Sequence, residues 1–196
     1  LILARDRMGE KPLFFGWIEG AFVFASELKA IRKIFSSSLE IDSVATAAFF
    51  RFGYVPSPYC IYENFFKLVP GTYLRFSLSQ LSFLNDFNPL PDNGFFCPQA
   101  YWTLQNSVND GFLNPILDEQ EAITQFDNLL QNTLSLHQIS DVPLGAFLSG
   151  GIDSALICAV LQAISKSPVK TFTIGFKEKE FDEAPYARSV ANYLGT

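Results

Sequence analysis

Apolar positions fall in short continuous runs near the start of the chain and recur every third or fourth residue further along. These shifts of period predict the elements. Residues 1–4, 12–17 and 21–25 are aromatic and aliphatic runs separated by a charged stretch and by Glu19-Gly20, which predicts strands in a hairpin arrangement. Over residues 26–34 the period changes, placing Leu28, Ile31 and Ile34 on one helical face with Ser26 as the expected cap. Asp42 is the expected cap of a second helix over 43–52, which Pro56 and Pro58 end. Phe49, Phe50, Phe52 and Tyr54 read as core. Pro70-Gly71 marks a turn into a strand over 72–76.

From residue 77 to 115 the pattern weakens. Asn, Asp, Pro and Gly cluster at 85–94 and again at 106–115, which are loop signals, and the second cluster is the expected domain boundary. Asp118 then opens the strongest helical pattern. Glu121 stands three positions later, at capping-box spacing, ahead of an apolar stripe at Ile123, Phe126, Leu130, Thr133 and Leu134. A short apolar strand over 144–148, a helix over 153–164 and an alternating strand over 169–174 follow. The last helix is expected to be capped by Asp182, to take Pro185 in its first turn and to stop at Gly195. Strand, helix, strand, helix at this spacing predicts a parallel α/β sheet. The expected division is 1–105, a linker over 106–117, and 118–196.

Composition refines this picture. Hydrophobic residues make up 48% of the chain and charged ones 17%, so there is ample core material and no signature of disorder. No run approaches the roughly 18 consecutive apolar residues of a membrane span, and no membrane partner is expected. The net charge of −6 argues against a nucleic-acid partner, because phosphate contacts need clustered Lys and Arg. Cys60, Cys97 and Cys158 are odd in number, widely spaced and form no metal pattern, which fits the cytoplasm. The chain begins at Leu1 without Met and stops at Thr196 just past a helical pattern, so it reads as an internal fragment of a longer protein.

The candidate chemistry lies between the strand ending at Leu148 and the helix after it. Ser149, Gly150 and Gly151 form a small-residue loop whose successive N–H groups, backed by a helix N-terminus, predict an anion-binding concavity. The hydroxyls of Ser149 and Ser154 add donors. A carboxylate at Asp153 would repel the anion unless a Mg²⁺ ion lay between them. The Walker loop is excluded because no Lys follows before Lys166, and the dinucleotide fingerprint G-x-G-x-x-G is absent. An ordinary strand-to-helix turn is the competing reading, but such a turn has no use for an Asp beside a nest.

The stretch Asp141-Val142-Pro143-Leu144-Gly145-Ala146-Phe147-Leu148-Ser149-Gly150-Gly151-Ile152-Asp153-Ser154 resembles the synthetase domain of the glutamine-hydrolysing asparagine synthetase family, a member of the PP-loop ATP pyrophosphatases. Residues 171–176 resemble its second strand and 187–196 the helix that follows. The resemblance implies that Leu148, Ser149, Gly150, Gly151, Asp153, Ser154 and Ile174 bind ATP and its pyrophosphate, with Asp153 holding Mg²⁺. Upstream, Arg5-Asp6-Arg7-Met8-Gly9-Glu10-Lys11-Pro12-Leu13 and Ala25-Ser26-Glu27-Leu28-Lys29-Ala30 resemble the later part of the family's N-terminal-nucleophile glutaminase domain. By that resemblance Asp6 binds the α-amino group of glutamine, as a carboxylate suits an ammonium.

The implied fold is therefore an α+β glutaminase remnant followed by the start of a parallel-sheet, adenine-nucleotide-hydrolase-like ATP pyrophosphatase domain. The implied activity in the full-length parent is glutamine- and ATP-dependent amide synthesis through an acyl-adenylate, with aspartate as the expected acceptor and AMP and pyrophosphate as products. A related ligase acting on a β-lactam, sugar or peptide carboxylate is the alternative, as is a nucleotide-binding module without turnover. Expected partners are glutamine, aspartate and ATP, with a homodimer allowed for the parent. The glutaminase nucleophile lies outside the sequence, so no catalytic residue is assigned. His137, Cys60, Cys97 and Cys158 are expected to play no part in the chemistry, and Asp182 and Glu183 are candidate neighbours of the nucleotide or magnesium, with helix capping an equal reading of Asp182.

Overall fold

The computed structural model describes residues 1–77 and 98–196. The expected loop over 85–94 and Cys97 lie outside the described residues. Backbone contacts divide the chain into two compact units, Leu1–Asn114 and Pro115–Thr196.

In the first unit, β1 (Ile2–Ala4), β5 (Thr72–Arg75) and β6 (Gln99–Ala100) form one antiparallel sheet in the order β1-β5-β6. The strands β2 (Phe14–Ile18), β3 (Ala21–Ala25) and β4 (Phe65–Lys67) form a second, in the order β3-β2-β4. Strand β2 is buried almost throughout, so its two faces serve two cores. Phe15 joins Leu3, Leu68, Leu74 and Phe76, with Trp17 packed against them. Phe14 and Ile18, two and four residues apart from Gly16 and each other on the opposite face, join Cys60, Phe65 and Ile31 of helix α1 (Leu28–Phe35).

Gly16 marks how tightly these strands approach. A Cβ there would sit 2.2 Å from the carbonyl oxygen of Asn64 and 2.9 Å from the Phe65 Cα. Both are backbone atoms that cannot swing aside. Gly16→Ala should therefore cost at least the ~1–3 kcal/mol typical of overpacking. Urea unfolding of the full-length protein that showed an unchanged first transition would contradict this packing.

Several expectations about this unit need correction. Helix α1 has Glu27, not Ser26, at its N-cap, and no side chain caps it, because the strand β3 carries extended backbone to Ala25. Phe49, Phe50, Phe52 and Tyr54 are exposed at 48–83% rather than forming core. Helix α2 (Ser43–Phe52) turns small Ala45 inward instead. The stretch 106–115 is not a loop up to its end. Helix α3 (Leu104–Leu113) occupies most of it, capped by the Thr103 hydroxyl, which accepts from Asn106 N–H at 3.2 Å. It buries no residue, so it leaves no apolar period to read. Two local expectations match: Asp42 accepts from Ala45 N–H at 2.7 Å, and Gly71 sits at φ +69 in the Pro-Gly turn.

The second unit is a parallel pair, β7 (Gly145–Phe147) and β8 (Lys170–Phe172), joined through helix α5 (Ile152–Ile164). Helix α4 (Glu119–His137), capped by Asp118 through Glu121 N–H at 2.7 Å, packs on α5. Only its later turns reach the core: Leu134 is buried, whereas Ile123 and Phe126 of the expected stripe are exposed. Leu148, Cys158 and Ala187 form the buried centre, with Ala146, Ala155, Val190, Ala191 and Leu194 around it. Ala187, Val190, Ala191 and Leu194 belong to helix α6 (Ala184–Leu194), which ends on Gly195 at φ +74. Among the described residues, no helix is long and apolar enough to cross a membrane.

Candidate functional site

Strand β7 delivers the loop. Leu148 N–H continues the ladder to Phe172 O at 2.9 Å, and Leu148 O accepts the Thr173 hydroxyl at 2.7 Å. The Leu148 side chain is 2% exposed in the core, so this residue meets the site through its backbone. Beyond it the chain leaves the sheet as Ser149-Gly150-Gly151 and enters α5 at Ile152, with Gly151 as N-cap. A capping side chain is lacking there, so the first N–H groups of α5 have no partner of their own helix.

The loop is held by its own hydroxyls. Ser149 Oγ lies 2.7 Å from Ser154 Oγ and accepts Gly151 N–H at 3.2 Å. Ser154 Oγ accepts Ser149 N–H at 3.1 Å and donates to Gly151 O at 3.2 Å. The Gly150 N–H goes elsewhere, donating to Glu183 Oε2 at 3.3 Å across from the start of α6. The three amides expected to cradle an anion are thus each directed at a hydroxyl or carboxylate oxygen, the kinds of acceptor that a phosphate oxygen replaces.

The two glycines have different reasons to be small. Neither adopts left-handed backbone. A Cβ on Gly150 would lie 2.9 Å from Tyr186 Cβ, because α6 passes close behind the loop, whereas one on Gly151 would meet only Ser149 Oγ at 3.4 Å. Packing explains Gly150, whereas no packing contact requires a glycine at 151.

Beside the loop is a cleft of about 400 Å³ lined by Ser149, Thr173, Ile174, Phe176, Phe181 and Glu183. Ile174 is 68% exposed on its wall, at the carboxyl end of β8. The site lies outside the carboxyl ends of parallel strands, where open α/β sheets place their ligands. Asp153 is exposed in the first turn of α5 and accepts no hydrogen bond from a described residue. Asp182 does not act as the N-cap, which is Glu183. Its Oδ1 instead accepts Phe176 N–H at 3.3 Å and Ala184 N–H at 3.2 Å, tying the loop after β8 to the base of α6. Among the described residues, no three acidic, His or Cys side chains are grouped as a metal cage. One or two carboxylates are nevertheless what Mg²⁺ takes from a protein when phosphates supply the remaining oxygens, so Asp153 and Glu183 fit a phosphate-borne ion. The sequence offers Glu183 as a candidate neighbour of the nucleotide without placing it on the loop, and gives no signal for Tyr186; both reach the loop from about 35 residues away.

In the first unit, Asp6 folds its carboxylate over its own turn, accepting Glu10 N–H at 2.9 Å and Lys11 N–H at 3.1 Å. Arg5 stitches the same turn to its surroundings, donating to Lys11 O, Gly9 O and Leu68 O at 2.7–3.0 Å. Burial, the largest single influence, pushes the Asp6 carboxyl up, but the amides of Glu10, Lys11 and Gly9 and the Arg5 charge together outweigh it and hold it below the ordinary carboxylate value. A lowered folded value means that its contribution is present above the ordinary carboxylate range and is lost as pH falls through the folded value. The turn should therefore hold to a lower pH than an ordinary carboxylate would allow and open as pH falls further. The Glu10 amide shift followed by NMR reports this, and a midpoint above 3.8 would contradict it.

His137 stays at the end of α4 with Nδ1 2.8 Å from Thr133 O. Cys60 and Cys158 are buried, and burial pushes both thiols up, away from the reactive thiolate.

Comparison with known proteins matches two stretches of the chain to two families. Residues 1–87 match the glutamine amidotransferase domain family, and residues 125–196 match the asparagine synthase family. A putative glutamine-hydrolysing asparagine synthetase 2 of Methanocaldococcus jannaschii is 34% identical over 100% of this chain and 35% of its own length. The glutamine-hydrolysing asparagine synthetase 1 of Bacillus subtilis is 30% identical over 98% of the chain and 27% of its own length. A putative enzyme of the same name from Mycobacterium bovis is 31% identical over 100% and 28%. The chain thus spans about a third of the length of the relatives it matches.

Proposed function

The chain is a relative of the glutamine-hydrolysing asparagine synthetases, and from that premise we propose that the full-length protein makes asparagine from aspartate, glutamine and ATP. The first unit is read as the later part of an N-terminal-nucleophile glutaminase domain, with Asp6 holding the α-amino group of glutamine. A carboxylate has about four acceptor positions, so the turn amides leave the Asp6 carboxylate room for an ammonium. The second unit is read as the start of a PP-loop ATP pyrophosphatase domain, the division falling within 106–117.

Ammonia released from glutamine passes to the second domain. There the β-carboxylate of aspartate attacks the α-phosphorus of ATP and pyrophosphate leaves. Ammonia then attacks the acyl carbon of the adenylate, expelling AMP and leaving asparagine. Ser149, Gly150, Gly151 and Ser154 bind the departing pyrophosphate, and Leu148 backbone and Ile174 flank the adenosine. Asp153 holds the Mg²⁺ that neutralises the pyrophosphate charge. Stabilising charge that develops on a leaving group is where a preorganised set of N–H and O–H donors is worth most.

The observation that carries this reading is the convergence of the Ser149, Gly150 and Gly151 amides on oxygen acceptors at the mouth of a cleft. Isotope exchange between pyrophosphate and ATP in the full-length protein should require aspartate. Exchange driven by another carboxylate instead would remove the aspartate assignment.

A further inference from the structure

Glu183 stands at the N-cap of α6, where a side chain ordinarily folds back onto its own helix's first N–H groups. It does not. Its carboxylate reaches 33 residues back along the chain to Gly150 N–H, at 3.3 Å, in the loop read above as the pyrophosphate grip. The arm that carries it is anchored on both sides of the cleft wall. Asp182 Oδ1 ties Phe176 N–H and Ala184 N–H together, and Phe181 N–H closes on Glu178 O at 3.0 Å. The cleft is therefore bordered by Ser149, at the entrance to α5, and by Glu183, at the entrance to α6. Helix N-termini favour anions, and here one of the resident anions is already supplied by the protein.

We propose that Glu183 determines the metal dependence of this loop, so that it accepts metal-complexed polyphosphate and rejects the metal-free form. The inference rests on the pyrophosphate reading of the loop and deepens it. A metal-free polyphosphate must displace the Glu183 carboxylate from Gly150 and then lie beside that displaced charge and beside Asp153. A polyphosphate carrying Mg²⁺ brings the cation that these carboxylates lack, so the same approach is no longer a meeting of like charges. The size of the effect follows from charge separation. Two unit charges ~4 Å apart differ by a few-fold in affinity when screened by water and by far more near a protein surface, so about tenfold is a lower expectation for an exposed site.

The test is calorimetric titration of the full-length protein with inorganic pyrophosphate, once with excess Mg²⁺ and once with EDTA. Glu183→Gln keeps the shape and an oxygen acceptor for Gly150 but removes the charge. Glu183→Ala removes both and serves if the first variant changes the melting temperature. In either variant the metal-free Kd should fall about tenfold, while the Mg²⁺-complexed Kd does not fall, because the same carboxylate also attracts the cation. A role confined to holding α6 would shift both constants together. An unchanged metal-free Kd, or weakening of both, overturns the proposal. Wild-type protein that binds pyrophosphate in neither form takes down the loop reading itself, and this inference with it.

Discussion

Asp153→Asn in the full-length protein should lower aspartate-dependent pyrophosphate–ATP exchange by about 100-fold or more, while stability falls by no more than about 1 kcal/mol. The two halves of that expectation come from different observations. Asp153 is exposed, accepts no hydrogen bond from a described residue and lies in the first turn of α5, so its only structural contribution is charge against the helix dipole. Losing that is worth roughly 0.3–1 kcal/mol at an exposed site. Its place one residue into the helix after Gly151-Ile152 is where a metal carrying the polyphosphate would be met. Removing a single charge-stabilising group from a transition state commonly costs about 10²–10³ in rate. Exchange within about threefold of wild type would assign Asp153 to the helix and not to the reaction.

The second large effect separates two neighbouring residues of one motif. Gly150→Ala should destabilise the second unit by about 1–3 kcal/mol, because its Cβ would press on Tyr186 Cβ and push α6, with Glu183, away from the loop. Gly151→Ala should leave stability nearly unchanged, since its Cβ meets only a hydroxyl at 3.4 Å and its backbone at φ −84 suits alanine. In binding, the second variant is the informative one. A methyl group on Gly151 intrudes where phosphate oxygens approach the amides, so pyrophosphate affinity should drop about tenfold or more in a fully folded protein. Thermal unfolding alongside pyrophosphate titration checks both. Gly151→Ala binding as wild type would show that this glycine is not kept small for a ligand.

How much of this was legible in the sequence depends on what each element buries. The parallel pair and the helix between them announced themselves because Ala146, Leu148 and Cys158 are apolar positions that do enter a core. Caps with a side-chain bond, at Asp42 and Asp118, were readable for the same local reason. Helix α3 was hidden because it buries nothing, and period is the signal of burial, not of helicity. The aromatic run on α2 misled in the opposite sense: its hydrophobicity is real, but small Ala45 makes the packed contact. At the site, Ser149 to Ser154 could be found because the motif is contiguous. Glu183 and Tyr186 could not be placed against it, since only the passage of α6 behind the loop brings them to Gly150.

The loop as a pyrophosphate grip is the centre of this account, and the amides of Gly150 and Gly151 report on it directly. Each is now bonded to a protein oxygen, Glu183 Oε2 and Ser149 Oγ. In a ¹⁵N-resolved NMR titration of the full-length protein with Mg²⁺-pyrophosphate, both amides should shift together and saturate as phosphate oxygens take over those bonds. Saturable shifts elsewhere with Gly150 and Gly151 unmoved, or no saturable shift at all, would contradict it.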